Sequence, residues 1–139
     1  MFNVNETGTV ITMHAGDTGA FKVRATRQSG TPWTSDDRML FTIRGGSGTV
    51  IQRFYRLDDD EGLGNGVIEI QFHNNDTDEW DPGQYTMERR YDVHPYWDGT
   101  APTGMCVNAL TAGVRMIEGD CVRTVVQGTL TILGVHGKI

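Results

Sequence analysis

The segment GVIEIQF, residues 66–72, alternates apolar and polar side chains with a period of two. In an extended strand, successive side chains point to opposite faces, so Ile68, Ile70 and Phe72 share one face and the intervening polar residues share the other. A strand with this pattern buries one face against a core and leaves the other in water. The segment therefore predicts a half-buried β-strand.

The same period recurs on both sides of this segment. It appears in GAFKVRAT (residues 19–26), in RMLFTI (residues 38–43) and, with both faces partly apolar, in TVIQRFYRL (residues 49–57). Towards the C-terminus, CVRTVVQGTLTIL (residues 121–133) predicts a long strand, in which Gly128 indicates a bulge or a bend. No window of eleven or more residues carries a convincing apolar stripe at helical spacing, so the pattern predicts an all-β protein.

Turn-forming residues separate these segments, in HAGDTG (residues 14–19), QSGTPWTSDD (residues 28–37) and DDDEGLGN (residues 58–65). Glycine supplies the positive φ angles of such turns, and the chain contains 18 glycines. Short strands at this spacing predict a single antiparallel β-sandwich of immunoglobulin-like type over residues 1–139. A small closed barrel is the alternative.

Two short regions depart from the strand pattern. One helical turn is predicted around DTDEW (residues 76–80), with Asp76 or Thr77 as its N-cap. Residues 95–119 are rich in glycine, proline and small side chains without sustained alternation, which predicts a long loop before the last strand. Because long ordered loops often bind partners or cover a sheet edge, this loop is the first candidate for a contact surface.

Composition limits the classes of function. A chain of 139 residues is about the size of one domain. The net charge of −6 argues against a surface for nucleic acid, which needs clustered Lys and Arg. No apolar run approaches the roughly 20 residues of a membrane helix, and the start MFNVNETGTV lacks the pattern of a secretory signal. We expect neither nucleic acid nor a membrane as a partner.

Residues 73–98 contain two histidines, seven acidic residues and two tryptophans, which raises the question of a metal or catalytic site. His73 and His94 each end a predicted strand, so they should lie at opposite edges of an antiparallel pair and should not converge on a metal. The acidic run at residues 58–61 fails the calcium-loop pattern, because the fifth and sixth places fall on Gly62 and Leu63. We predict no metal and no cofactor.

The chain carries no motif of nucleophilic or metal-dependent catalysis. It lacks GxSxG, HExxH and the phosphate-binding GxxxxGK. The two cysteines, Cys106 and Cys121, match no zinc-ribbon spacing and are predicted to be free thiols, with a bridge as the alternative. We therefore predict no catalytic residues and no enzymatic activity.

The tryptophans all fall in turn-rich stretches. Aromatic side chains exposed on loops can stack on sugars or fill protein interfaces. The alternative is that each tryptophan folds back and caps one end of the sandwich. Together with two residues of the long loop, the tryptophans form the predicted interaction surface, which consists of Trp33, Trp80, Tyr96, Trp97 and Met105.

The order of the motifs resembles a known family. ITMHAGDTGAFKVRA, LFTIR, an acidic turn, GVIEIQF, DTDEWDPGQYTMERRYDV and VRTVVQGTLTIL follow one another along nearly the whole chain. In this order they resemble the small immunoglobulin-like domain at the start of phage baseplate upper proteins and in related short prophage structural proteins. The matching positions are Gly16, Asp17 and Thr18; Pro82, Gly83 and Tyr85; Tyr91 and Asp92; and Gly128, Leu130 and Ile132.

The resemblance implies a non-catalytic component of a phage tail or baseplate, located in the virion and assembled in the host bacterial cytoplasm. Such a protein acts by surface complementarity with other tail or baseplate proteins. Because the unpaired edges of a sandwich need a partner, a homo-oligomer is a further expectation. The alternative function is a carbohydrate-binding module that uses the loop tryptophans as stacking platforms.

Overall fold

The structure is a computed structural model that describes residues 1–27, 32–46, 48–92, 108–110 and 124–134. These residues form strands with one short helix between them. The strands are β1 Phe2–Val4, β2 Val10–His14, β3 Gly19–Arg27, β4 Arg38–Gly45, β5 Gly48–Arg56, β6 Val67–Phe72, β7 Gly83–Asp92, β8 Asn108–Leu110 and β9 Thr124–Leu133, and the helix is α1 Asn74–Thr77.

The strands form two sheets, which confirms the predicted all-β sandwich. The larger sheet has the order β1-β2-β9-β7-β4-β5 and the smaller one the order β6-β3-β8. Phe41 of β4 and Phe72 of β6 meet edge to face between the sheets, with ring centroids 6.4 Å apart. The alternation read from the sequence explains this core. Phe21, on the inward face of β3, is partly buried, and the other described residues on the inward faces are buried: Val23, Ala25, Met39, Phe41, Ile43, Ile68, Ile70, Phe72, Val126, Leu130 and Ile132.

A feature of immunoglobulin-like sandwiches is present where the chain enters β7. The Tyr85 hydroxyl donates a hydrogen bond to the Asp81 carbonyl at 2.8 Å, which is the geometry of a tyrosine corner. In antibody domains a disulfide cysteine lies two residues after this tyrosine. Here Met87 occupies that position and is buried in the core.

One strand pair departs from the antiparallel pattern. Strand β2 runs parallel to β9, with Val10 opposite Thr129. Of the bulge or bend predicted at Gly128, the bulge is not formed, since β7 and β9 keep a regular register through Met87 and Gly128. A Cβ at Gly128 would lie 2.2 Å from the Thr9 carbonyl oxygen, so this glycine permits the close approach of the chain that leads into β2.

The long loop predicted before the last strand contains a short strand. Residues 108–110 form β8, which pairs with the end of β3 through Ala25 opposite Leu110. This pairing is a tertiary contact that three residues of local sequence do not indicate. The remainder of that loop lies outside the described residues.

The helical turn begins earlier than predicted. Its N-cap is His73, so the prediction of Asp76 or Thr77 as the cap is wrong. Asp76 instead lies inside the turn, where its carboxylate accepts a hydrogen bond from the His73 backbone N–H at 2.7 Å. Thr77 is buried, and its hydroxyl accepts a hydrogen bond from the Gly16 N–H at 2.9 Å. The helix is therefore tied to the turn between β2 and β3.

Candidate functional site

Trp33 belongs to the core and not to a surface. Its side chain is 4% exposed, and its indole Nε1–H donates to the Ala25 carbonyl at 2.8 Å. Its backbone is held by Asn65, whose side-chain oxygen accepts from the Trp33 N–H at 2.8 Å. The prediction that Trp33 is part of an interaction surface is therefore wrong, because a buried and hydrogen-bonded ring cannot be offered to a partner. The alternative, in which the tryptophan folds back onto the sandwich, is the observed arrangement.

Trp80 is half-buried and lies at the corner between α1 and β7. Its ring stacks on Tyr85, with centroids 4.9 Å apart and the two planes inclined by 29°. Both residues line an open cleft of about 390 Å³, whose opposite wall is formed by Gly45, Gly46 and Val50. Gly45 is needed here, because a Cβ would lie 2.8 Å from the Tyr85 ring. The other predicted surface residues, Tyr96, Trp97 and Met105, lie outside the described residues.

The acidic residues that suggested a cation have other partners. Arg56 forms ion pairs with Asp58 at 2.6 Å and with Asp60 at 3.0 Å. The Asp59 carboxylate accepts a hydrogen bond from the Gly64 N–H at 2.7 Å. Within the described ranges, no group of three or more His, Cys, Asp or Glu side chains could hold a metal ion. The acidic hairpin is thus an internally bonded turn.

Strand β5 is an edge of the larger sheet. In the part of the chain that the structure describes, it pairs with β4 alone. The Leu57 N–H donates to the Asp37 carbonyl at 2.9 Å, so the N–H group of this residue points towards β4. Because backbone groups of an antiparallel pair alternate in direction, the N–H and C=O groups of Gln52, Phe54 and Arg56 point away from β4, to the edge where no further described strand lies.

The outer side of this edge carries an exposed aromatic ring. Phe54 is 64% exposed, more than any other large apolar side chain that the structure describes. It lies beside Leu40 of β4, which in turn lies beside Arg90 of β7. The Arg38 guanidinium lies 5.4 Å from the centroid of the Phe54 ring, at the distance of a cation–π contact. We call this surface the Phe54 face, and it consists of Arg38, Leu40, Phe54, Arg56, Arg90 and Asp92.

Charges on the Phe54 face occur with both signs. Arg38 and Asp92 form an ion pair at 3.6 Å, and Arg90 lies at the same distance from Glu88. Exposed pairs of this kind contribute little to stability, but they fix which charges surround the ring. The surface therefore combines an apolar centre with a polar rim, which is the usual anatomy of a protein–protein contact.

The inner side of β5 is anchored to the smaller sheet. Arg53 forms an ion pair with Asp76 at 2.8 Å and donates a hydrogen bond to the Gln71 carbonyl of β6. Burial alone would raise the pKa of Asp76, but the hydrogen bonds from the His73 N–H and Arg53 outweigh burial and hold the pKa below its usual value. A single arginine thus joins the edge strands of both sheets to α1, and it fixes β5 in place.

We expect Asp76→Asn to lower the free energy of unfolding at pH 7 by roughly 1–2 kcal/mol, because it removes a charged hydrogen-bond acceptor from Arg53. A carboxyl whose pKa is lowered by folding stabilises the protein above its unfolded pKa, near 3.9, and loses this contribution as the pH falls through the folded value. The difference between variant and wild type should therefore shrink below about pH 4. Urea unfolding at pH 7 and pH 3 measures it.

The control for this experiment is Asp36→Asn, at an exposed position. It should leave the stability nearly unchanged at both pH values, because surface substitutions away from bonded groups have effects within about 0.5 kcal/mol. An Asp76→Asn variant as stable as wild type at pH 7 would show that the Arg53–Asp76 pair does not anchor β5.

The Phe54 face is not among the predicted surface residues, although the sequence contains one signal of it. The segment TVIQRFYRL has apolar residues on both faces, and in the structure Ile51 and Tyr55 pack against the core while Phe54 faces solvent. A strand that needs only one apolar face but carries two is a candidate for a second contact.

No helix among the described residues is both long enough and apolar enough to cross a membrane. Comparison of the chain with family models, with curated proteins and with solved structures finds no match.

Proposed function

We propose that the protein is a non-catalytic structural component of a phage or prophage tail or baseplate, and that it acts in virion assembly through contacts with other tail or baseplate proteins. One observation carries the proposal: among the described strands β5 pairs with β4 alone, and its other edge carries Phe54, a strongly exposed aromatic residue. A sheet edge of this kind can take up a strand from another chain, and its backbone groups then supply affinity.

Two further features support an assembly role. The order of motifs resembles the immunoglobulin-like domain of phage baseplate upper proteins, and the all-β sandwich agrees with that resemblance. Several of the acids that the structure describes serve turns, caps and ion pairs, as the bonds of Asp58, Asp59 and Asp76 illustrate. A sandwich of this type hosts many functions, so the proposal depends on the surface and not on the fold.

The test is co-expression of the full chain with the proteins encoded beside it, followed by affinity purification and light scattering. We expect a stable complex with at least one tail protein. Phe54→Ser should weaken this complex, whereas Gln127→Ser, at an exposed position on β9 of the same sheet, should not. A chain that binds none of its neighbours, or a complex that tolerates Phe54→Ser fully, would count against assembly through this surface.

The alternative function, a carbohydrate-binding module, is favoured by one observation. Trp80 and Tyr85 line an open cleft together with Glu79 and Asp81, and aromatic rings beside polar groups are typical of sugar sites. Glycan-array binding that disappears in Trp80→Ala would support this alternative. Trp33→Ala is not a suitable variant for that purpose, because Trp33 is buried.

A further inference from the structure

We infer that β5 pairs antiparallel with β5 of a second copy of the chain, about a two-fold axis that passes beside Phe54. The inference deepens the proposed function, because it names a second copy as one partner of the same edge. It requires no tail protein for its test.

The regular part of this edge carries few of the features that prevent strands from pairing. Sheet edges are usually protected by proline, by lysine or by outward charges, and β5, GTVIQRFYR, contains neither proline nor lysine. Its charged residues are Arg53 and Arg56, and both already have acidic partners, Asp76 and Asp58. A register shift between Ile43 and Arg44 of β4 disturbs the start of β5, so the regular edge runs from Ile51 to Arg56.

The direction of pairing follows from charge. The basic residues of β5 lie in its C-terminal half, and its first five residues, GTVIQ, carry no charge. A parallel pair in register would stack Arg53 on Arg53 and Arg56 on Arg56 of the second copy. Like charges directly opposite each other destabilise a strand pair, so the antiparallel direction is favoured.

The register follows from the alternation of backbone groups. Gln52, Phe54 and Arg56 present their N–H and C=O groups to the edge, so a hydrogen-bonded pair must combine two of these residues. An axis beside Arg53 would place two arginines opposite each other. An axis beside Phe54 instead pairs Phe54 with itself and Gln52 with Arg56, and it uses only the regular part of the strand.

This register also buries the residue that most needs a partner. The Phe54 ring is 64% exposed although Arg38 lies over it, and in the pair it would meet the same ring of the second copy. An aromatic pair across two strands is among the stabilising cross-strand contacts. The two smaller apolar neighbours, Leu40 on each copy, extend this contact towards the centre of the sheet.

The contact is small, because it involves five residues of each strand and the ring beside them. Interfaces that bury less than about 1,200 Å² are typically weak and transient, so the free dimer should form only at high protein concentration. In an assembled particle, neighbouring subunits would hold two copies close together, and the effective concentration would replace intrinsic affinity.

The test is analytical ultracentrifugation of the full chain between about 0.01 and about 1 mM, the range in which interfaces of this size associate. We expect reversible dimerisation. Phe54→Lys and Phe54→Glu should each weaken it at least about fivefold, because a charge beside the axis faces its own copy. An equimolar mixture of the two variants should associate again, since Lys then faces Glu.

Two further variants test separately the backbone hydrogen bonds at the edge and the position of the contact on the sheet. Gln52→Pro removes an N–H group that points to the edge and not to β4, so it should weaken the dimer while the thermal unfolding midpoint stays close to wild type. Gln127→Lys adds a charge on the same sheet away from β5 and should dimerise as wild type does.

A wild-type chain that is monomeric at about 1 mM, a mixture of the Lys and Glu variants that does not associate, or a Gln52→Pro variant that dimerises normally would each overturn the inference. Because tail proteins are absent from these measurements, a failure here leaves the assembly proposal intact. A failure of co-purification with tail proteins would in turn leave the dimer intact.

Discussion

Trp33→Ala should lower the free energy of unfolding by about 3–5 kcal/mol, as measured by urea denaturation at 25 °C. The substitution removes a large ring from the core and leaves a cavity that the surrounding strands can fill only in part. It also deprives the Ala25 carbonyl of the indole N–H that it accepts at 2.8 Å. Typical domains are stable by 5–15 kcal/mol, so a loss of this size would remove a large share of the total.

Trp33→Phe is the matched variant, because it keeps an aromatic ring but has no N–H group. It should cost less than Trp33→Ala, and the difference between the two variants measures ring packing separately from the hydrogen bond. A Trp33→Ala variant within about 0.5 kcal/mol of wild type would be the behaviour of a surface residue. That result would contradict the buried position and would restore Trp33 as a candidate for ligand binding.

Gly66→Ala should be destabilising by at least about 3 kcal/mol, for two reasons that add. Gly66 has a φ of +86°, where an L side chain is strained. A Cβ at this position would also lie 2.2 Å from the Ala25 carbonyl oxygen, so the backbone of β3 or of the turn would have to move. That movement would disturb the hydrogen bond from the Ala25 N–H to the Gly66 carbonyl, which is 2.9 Å long.

Gly62→Ala is the control that separates these two causes. Gly62 has a similar φ of +73°, but a Cβ there would meet no atom within 4 Å. It should therefore report backbone strain alone, at about 1–2 kcal/mol. Thermal or urea unfolding of both variants gives the comparison. If the two substitutions cost the same, the close approach of Gly66 to β3 does not limit the packing around Trp33.

The sequence allowed the strands to be predicted because side-chain alternation is a local property. Met39, Phe41 and Ile43 could be assigned to one buried face from their spacing, since each decision depends only on neighbours two residues away. The direction of pairing between β2 and β9 could not be predicted in this way, because this pairing joins segments separated by nearly the whole chain. Parallel and antiparallel partners leave the same period of two in a strand, so the direction of pairing is not encoded locally.

The candidate site shows the same limit. Composition and spacing indicated that Trp33 and Trp80 lie in turns, but a turn can fold inward or outward, and only the packing of Trp33 against Ala25 and Gly66 decided the question. Arg89 shows that a charged residue is not always exposed. It is one of three charged residues in the segment ERR of β7, and it is buried with its guanidinium donating to the Thr7 carbonyl at 3.0 Å.

Local sequence was enough to predict most of the strands, the core-facing residues of those strands and the positions of the turns. The packing of the two sheets was needed to establish which strands are neighbours, which described strand lies at an edge and which aromatic ring is exposed there. The reason is the distance along the chain over which each effect acts. Alternation and turn preferences act over a few residues, whereas the exposure of Phe54 and the burial of Trp33 depend on segments that meet only after the two sheets have packed.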